Sequence, residues 1–193
     1  MNYIDRLAIA CASLVLAAGC AQPAPPTPVT TPTPSLSPVE RGKYIVSTSA
    51  CHDCHTPTKM GPNGPEPDMD RMLSGHPESL KITKGPKLDA PWMATASATF
   101  TAWSGPWGLS FTANLTPDDL TGLGQWTEQM FIDTIRKGKH MGTSRDLLPP
   151  MPWPVYRNFT DDDLKAIFAY LRTIPAVKNH VPDPILKASP SGK

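Results

Sequence analysis

The segment CHDCH, at residues 51–55, constrains this 193-residue chain more than any other feature of its sequence. Two cysteines stand three positions apart, and a histidine directly follows the second one. That spacing suits three chemistries: a redox-active dithiol, half of a zinc site, or a haem attached covalently through both sulfur atoms. The remaining cysteines and histidines of the chain decide between them.

The N-terminus accounts for the other two cysteines. Residues 1–19 have a polar head with Arg6 and then an apolar run that is too short for a membrane-spanning helix and ends in small residues, as export signals do. The ending LAAGC resembles the lipobox of bacterial lipoproteins, in which Cys20 becomes the lipidated first residue after cleavage. A simple secretory signal cut nearby is the alternative. Cys11 lies within this predicted signal.

The segment that follows is a predicted tether. Residues 20–38 alternate proline with threonine or serine, a composition that cannot bury a core and favours extended, semi-rigid chain. The folded domain is therefore expected at residues 39–193. Together these segments predict a water-facing domain on the periplasmic side of a bacterial membrane, held there by lipid at Cys20. A soluble periplasmic protein is the alternative.

Cys51 and Cys54 are then the only cysteines of the expected domain. A zinc site would need a second pair of ligands, but the remaining histidines are scattered singly. A dithiol catalyst would not need His55 and would be expected in a βαβ context, which the sequence lacks. A covalently attached haem explains both cysteines and His55, because the two thiols can bind the porphyrin edge while His55 binds the iron. The motif predicts one haem c per chain, attached through Cys51 and Cys54.

The second axial ligand of the iron has several candidates. Met151 lies in DLLPPMPWPVY, where prolines on both sides restrict the backbone and remove competing donors. Such rigidity suits a weak thioether ligand, so Met151 is the predicted sixth ligand, with Met141 and His140 as alternatives. The sequence offers seven further candidates, which are less favoured: Met60, Met69, Met72, Met93, Met130, His76 and His180.

Helix signals dominate the rest of the domain. A capping box of Ser37 and Glu40 predicts a helix from Pro38 to Ser49, and Thr127 and Thr160 are the predicted caps of two later amphipathic helices. A further short helix is predicted after Thr116. Proline and glycine interrupt residues 56–112, which indicates surface loops with short strands at most. The predicted fold is mainly α.

Four segments narrow the interpretation to a family: GPWGLSFTANLTPD, TGLGQWTE, LLPPMPW and TDDDLKAIFAYLRTIP. With the capped helix that leads into C-x-x-C-H, they resemble class I c-type cytochromes. They are most similar to the periplasmic cytochromes c and cytochrome subunits that serve dehydrogenases. The resemblance covers about Val39 to Pro182.

The resemblance carries structural expectations. It implies that the first and last helices cross, with Gly42 packed near Tyr170 and Leu171. It also implies that a carbonyl of the GPNGP segment, at Pro62 or Pro65, accepts the ring proton of His55. Four other side chains could contact the haem edge or its propionates, although core packing is the commoner role of such aromatics: Trp107, Trp126, Trp153 and Arg145.

The single C-x-x-C-H motif predicts a monohaem protein, and the resemblance implies an electron carrier rather than an enzyme. Its expected partners are a dehydrogenase, another cytochrome or a terminal oxidase. The alternatives are a peroxidase-like haem enzyme with an open sixth position and a cytochrome subunit that docks a dehydrogenase. A formal net charge of +1 argues against nucleic-acid binding, which requires a basic face.

Overall fold

A computed structural model describes residues 35–187, and five α-helices form the framework of this part of the chain. In chain order they are α1 (Pro38–Thr48), α2 (Cys51–His55), α3 (Glu128–Lys137), α4 (Trp153–Tyr156) and α5 (Asp161–Leu171). The predicted signal and tether, including Cys20, lie outside the described residues except for the last few tether positions. Among the residues described, no helix combines the length and the apolar character needed to cross a membrane.

The three long helices begin where their capping signals predicted. Ser37 and Glu40 form a complete capping box at α1. The Thr127 hydroxyl accepts a hydrogen bond from a backbone N–H in the first turn of α3, and Thr160 does the same for α5. Gly138 ends α3 in the left-handed conformation, with φ of 66°. The three predicted N-terminal caps are confirmed.

The first and last long helices cross at Gly42, as the resemblance implied. A Cβ atom at Gly42 would lie 1.9 Å from the carbonyl oxygen of Ala166 and 2.8 Å from the Cβ of Tyr170. Tyr170 was therefore predicted correctly, whereas Ala166 takes the place expected for Leu171. The reason is helical periodicity: Ala166 and Tyr170 share one face of α5, and Leu171 faces the large cavity described below.

This contact predicts that Gly42→Ala destabilises the protein although alanine is the better helix former by about 1 kcal/mol. The added methyl group meets backbone atoms, so α1 and α5 must separate, at a cost of about 1–3 kcal/mol. Chemical denaturation of the haem-containing protein measures the effect. Lys43→Ala, at the exposed neighbouring position, is the matched control and should change the stability by less than about 0.5 kcal/mol. An unchanged denaturation midpoint for Gly42→Ala would contradict the close helix crossing.

The region expected to be mostly loops, residues 56–112, contributes five of the six strands of two small antiparallel sheets. A hairpin is formed by β1 (Thr58–Gly61) and β2 (Gly64–Pro67). A second sheet has the strand order β3-β4-β5-β6. Its strands are β3 (Thr95–Ala96), β4 (Ala102–Gly105), β5 (Gly108–Phe111) and β6 (Ile185–Leu186). The mainly α prediction therefore describes the core correctly but understates the strands.

The prediction of a short helix after Thr116 is wrong, because residues 116–126 form turns and loops. Instead of capping a helix, the Thr116 hydroxyl is fully buried and donates to the side-chain oxygen of Asn114 at 2.8 Å. The Asp118 carboxylate accepts hydrogen bonds from the backbone N–H groups of Leu120 and Thr121, which makes a turn. Long-range contacts of Thr116 thus override the local capping signal.

The apolar core lies between α1, α3 and α5. Its buried members come mostly from the inward faces of these helices. Leu164, Ile167, Phe168 and Leu171 form one face of α5 and are all buried there. Met151 and Cys51 are partly buried and pack against the same cluster, which joins the core to the site.

Candidate functional site

The two thiols lie on one helical turn immediately after α1. Ala50 adopts the left-handed conformation, with φ of 58°, and turns the chain from α1 into α2. Cys51 and Cys54 are both free, and their spacing places them on the same face of the short helix. Burial raises the pKa of the Cys51 thiol to about 11 and also raises the pKa of Cys54. Both thiols are therefore protonated at neutral pH and do not resemble the activated thiolate of a dithiol catalyst.

His55 is a buried, neutral imidazole held by the backbone. Its side chain sits at the end of α2, and its Nδ1 donates to the carbonyl of Ala113 at 2.7 Å. Burial lowers the pKa of His55, and the bond to Ala113 only partly opposes that effect. This bond assigns the ring proton to Nδ1 and leaves Nε2 as the metal-binding nitrogen.

The acceptor expected for His55 was wrong. Pro62 lies at the exposed tip of the β1–β2 hairpin, and Pro65 is paired with Met60 within it. The whole GPNGP segment belongs to this hairpin, and none of its carbonyls is the partner of the His55 ring. Ala113, shortly after β5, supplies the carbonyl instead, and no local sequence signal identifies it.

Cys51, Cys54 and His55 all line one large cavity of about 970 Å³. This volume is at the upper end of the range for cofactor sites. Much of its wall is apolar and comes from the three long helices: Ile45, Val46, Phe131, Ile135, Leu164, Ile167 and Leu171. A wide apolar cavity with two thiols and a neutral imidazole fits a porphyrin that carries a central iron.

The cavity also brings together the favoured candidates for the sixth ligand. Met151, Met141 and His140 line it, as does His180. His76 does not, because it is fully buried elsewhere with Nδ1 near the Thr101 hydroxyl and Nε2 near the Leu80 carbonyl. Five methionines also lie outside the lining residues: Met60, Met69, Met72, Met93 and Met130. The choice of Met151 stays a prediction.

Met151 and Met141 occupy different environments. Met151 packs against the apolar core, and the loop before it is fastened because the Ser110 hydroxyl donates to the Pro149 carbonyl at 2.6 Å. Met141 is 38% exposed, and its backbone has a φ of 54°. Residues with such φ values are strained unless they are glycine. A weak thioether ligand is better supported by the anchored, core-packed segment of Met151.

Two of the four side chains considered for the haem edge reach the cavity. Trp126 and Arg145 line it, and the Trp126 ring meets the His140 ring edge-on with 5.3 Å between centroids. Trp107 and Trp153 lie outside the lining residues. The Trp107 indole instead donates to Ser110 at 3.2 Å, and therefore supports the hydroxyl that fastens the Met151 loop.

Sequence reasoning missed two parts of the site. Tyr156, on α4, donates its hydroxyl to the Ser49 carbonyl and so joins the Met151 segment to the turn before Cys51. Residues 180–184, of which only His180 was considered as a ligand, line the cavity from a segment with no helix or strand signal. Both depend on contacts between residues more than 50 positions apart, which periodicity does not report.

A comparison with models of protein families shows the family to which this chain belongs. The family model described as Cytochrome c matches residues 39–175, which include the motif, Met151 and the last long helix. The chain belongs to the cytochrome c family. Membership implies a covalently bound haem c, and Cys51, Cys54 and His55 have the required spacing.

The similar proteins include several dehydrogenase subunits. The fructose dehydrogenase cytochrome subunit of Gluconobacter japonicus is 29% identical over 95% of this chain and 32% of its own length. The cytochrome c subunit of the quinone alcohol dehydrogenase of Gluconobacter oxydans is 26% identical over 75% of this chain and 24% of its own. The gluconate 2-dehydrogenase cytochrome c subunit of Pantoea cypripedii is 29% identical over 68% of this chain and 22% of its own. The chain thus spans about a third of the length of these relatives or less.

Proposed function

We propose that this cytochrome c carries single electrons through one covalently bound haem c and receives them from a dehydrogenase. The observation that carries the proposal is the shared cavity, which brings the two thiols, the His55 imidazole and Met151 together. The names of the similar proteins support a dehydrogenase as partner, because they include cytochrome subunits of such enzymes. The chain itself would be an electron carrier with no substrate site.

Each side chain has a part in holding the group. Cys51 and Cys54 would attach it, and His55 and Met151 would ligate its iron. Haem c, when bound, supplies one-electron iron chemistry, and His/Met ligation gives it a higher reduction potential than bis-His ligation. The Ala113 carbonyl fixes the orientation of the His55 ring and makes its other nitrogen a better donor. The apolar walls keep water away, and low polarity also raises the potential.

A redox-titrated absorption spectrum of the purified protein tests this function. The expected result is a single one-electron transition with a reversible change in the haem bands. The reduced protein should bind carbon monoxide slowly, because both axial positions are filled. Rapid binding of carbon monoxide would indicate an open sixth position and would favour a peroxidase-like haem enzyme over an electron carrier.

We also propose that lipid at Cys20 holds the domain on the periplasmic side of the membrane. One acyl chain binds a membrane only marginally, so stable attachment requires the additional chains of a lipidated N-terminus. Cys20→Ser is therefore expected to move the haem-containing domain from the membrane fraction to the soluble fraction or to leave the signal uncleaved. Cys11→Ser makes the same chemical change inside the apolar run and should leave the distribution unaltered. Wild-type protein that is already soluble without detergent would refute the lipid anchor.

A further inference from the structure

The last described segment forms a wall of the haem cavity. Residues 176–187, here called the C-terminal strap, follow the part of the chain that the family model matches. Five consecutive strap residues line the cavity: His180, Val181, Pro182, Asp183 and Pro184. The strap then pairs with β5 as β6, where a Cβ atom at Gly108 would lie 2.1 Å from the carbonyl oxygen of Ile185. Glycine at position 108, with φ of 114°, allows this close approach.

The buried side chain of Asn179 anchors the strap to residues 74–78 by hydrogen bonds. Its side chain is 5% exposed, and its amide nitrogen donates to the carbonyls of Ser74 at 2.7 Å and His76 at 2.8 Å. Its side-chain oxygen accepts from the backbone N–H of Glu78 at 2.8 Å. Only a carboxamide provides two donors and one acceptor in this arrangement.

A second buried amide holds the strap two residues earlier. The Asn114 side chain donates to the Val177 carbonyl at 2.8 Å, and the Val177 N–H donates to the Thr116 hydroxyl at 3.0 Å. Asn114 directly follows Ala113, the residue whose carbonyl holds His55. The strap and the orientation of the axial histidine therefore depend on the same short loop.

We infer that Asn179 is a positioning residue that keeps the strap closed over the haem and thereby excludes water and raises the reduction potential. This inference rests on the proposed function. Oxidised haem iron carries one more positive charge than reduced iron, and water stabilises that charge, so entry of water lowers the potential. The carboxylate of Asp183 would act in the same direction as water if it lay close to the iron. However, its side chain is 95% exposed and lies 3.9 Å from the Arg145 guanidinium, so its field is screened.

Asn179→Asp tests the inference with almost no change in volume. The substitution replaces the amide NH₂ group, which donates to the Ser74 and His76 carbonyls, with a carboxylate oxygen. That oxygen repels both carbonyls. Hydrogen exchange at the amides of Val177 and Lys187 should become faster by on the order of 10- to 100-fold, the loss expected for one buried polar interaction. The reduction potential should fall while the haem content stays at one per chain, and it should fall as well in Asn179→Ser, which adds no charge and so separates water entry from the field of a new carboxylate. Asn63→Asp, at the exposed tip of the β1–β2 hairpin, is the matched control and should change neither quantity.

The possible outcomes distinguish a failure of the role inferred for Asn179 from a failure of the proposed electron-carrier function. If the strap amides exchange faster in Asn179→Asp but its potential equals that of Asn63→Asp, the strap does not exclude water and the inference is wrong. Unchanged hydrogen exchange at the strap amides of Asn179→Asp would also overturn the inference, because Asn179 would then not be the residue that holds the strap in place. If Asn179→Asp accumulates without haem, Asn179→Ser, which keeps a hydroxyl donor and acceptor, replaces it with the same expected directions. Absence of covalent haem from the wild type would instead refute the proposed function.

Discussion

Complete loss of covalent haem is the expected result of replacing both Cys51 and Cys54 with serine. A thioether requires sulfur, and these are the only two thiols within residues 35–187. Each single variant should retain one bond and bind haem in reduced yield. Pyridine haemochrome absorbance after extraction with acidified acetone measures the covalent fraction, which should be one haem per chain in the wild type and none in the double variant.

A control within the same motif isolates the role of sulfur. His52 lies between the two cysteines but outside the cavity lining, and its Nδ1 is 3.0 Å from the Thr56 hydroxyl. His52→Ala should therefore keep the covalent haem. If acid-stable haem survived in the double variant, or were lost in His52→Ala, the attachment assigned to Cys51 and Cys54 would be wrong.

The same double variant is expected to fold poorly. Without haem, the cavity of about 970 Å³ leaves the apolar side chains of its wall facing water instead of a porphyrin, so the hydrophobic stabilisation from their burial is lost. Because folded domains are stable by only about 5–15 kcal/mol, the loss of several such buried side chains is a large part of the total. Haem is thus part of the core, and circular dichroism of the double variant should show reduced helical content.

The parts of this fold that are encoded locally could be predicted from the sequence. The capping box at Ser37, the cap at Thr160 and the left-handed glycine after α3 each depend on residues within one helical turn. The C-x-x-C-H motif is equally local, because one turn of helix places both thiols on the same face. Gly42 fits the helix crossing that the resemblance implied, because glycine inside a helix is costly unless another backbone packs closely against it.

The predictions that failed depend on long-range contacts. Thr116 has the local signature of a cap, but its hydroxyl also accepts the backbone N–H of Val177, 61 positions later. The acceptor for His55 lies 58 positions away at Ala113 and is a backbone carbonyl, for which residue type carries no information. The sequence of the strap has no helical or strand periodicity, because buried side-chain amides and the two-residue strand β6 hold it in place.

Met151→Ala is expected to open the iron to external ligands while the haem stays attached. Cys51, Cys54 and His55 hold the haem from another part of the chain, so covalent attachment should be unchanged. Loss of the thioether removes a stabiliser of reduced iron, so the potential should fall, and carbon monoxide should bind rapidly. The weak sulfur-to-iron absorption band expected at the red end of the oxidised spectrum should disappear.

A second variant separates ligation from packing. Met151 packs against the apolar core, so alanine also removes buried volume there. Met151→Leu keeps nearly the same volume without the sulfur and should cost less than about 1.5 kcal/mol of stability. It should nevertheless lose the absorption band as completely as alanine does. A shared spectrum in two variants of different stability would assign the effect to the sulfur rather than to the core.

Met141→Ala is the matched control, because Met141 lines the same cavity and the chemical change is identical. Its exposed side chain and left-handed backbone predict that the absorption band, the potential and the slow binding of carbon monoxide all persist. Loss of the band in Met141→Ala together with its survival in Met151→Ala would move the sixth ligand to Met141. Survival of the band in both variants would exclude both methionines at once. A wild-type spectrum without that band, with slow binding of carbon monoxide, would favour one of the cavity histidines, His140 or His180, since an imidazole ligand gives no sulfur-to-iron transition.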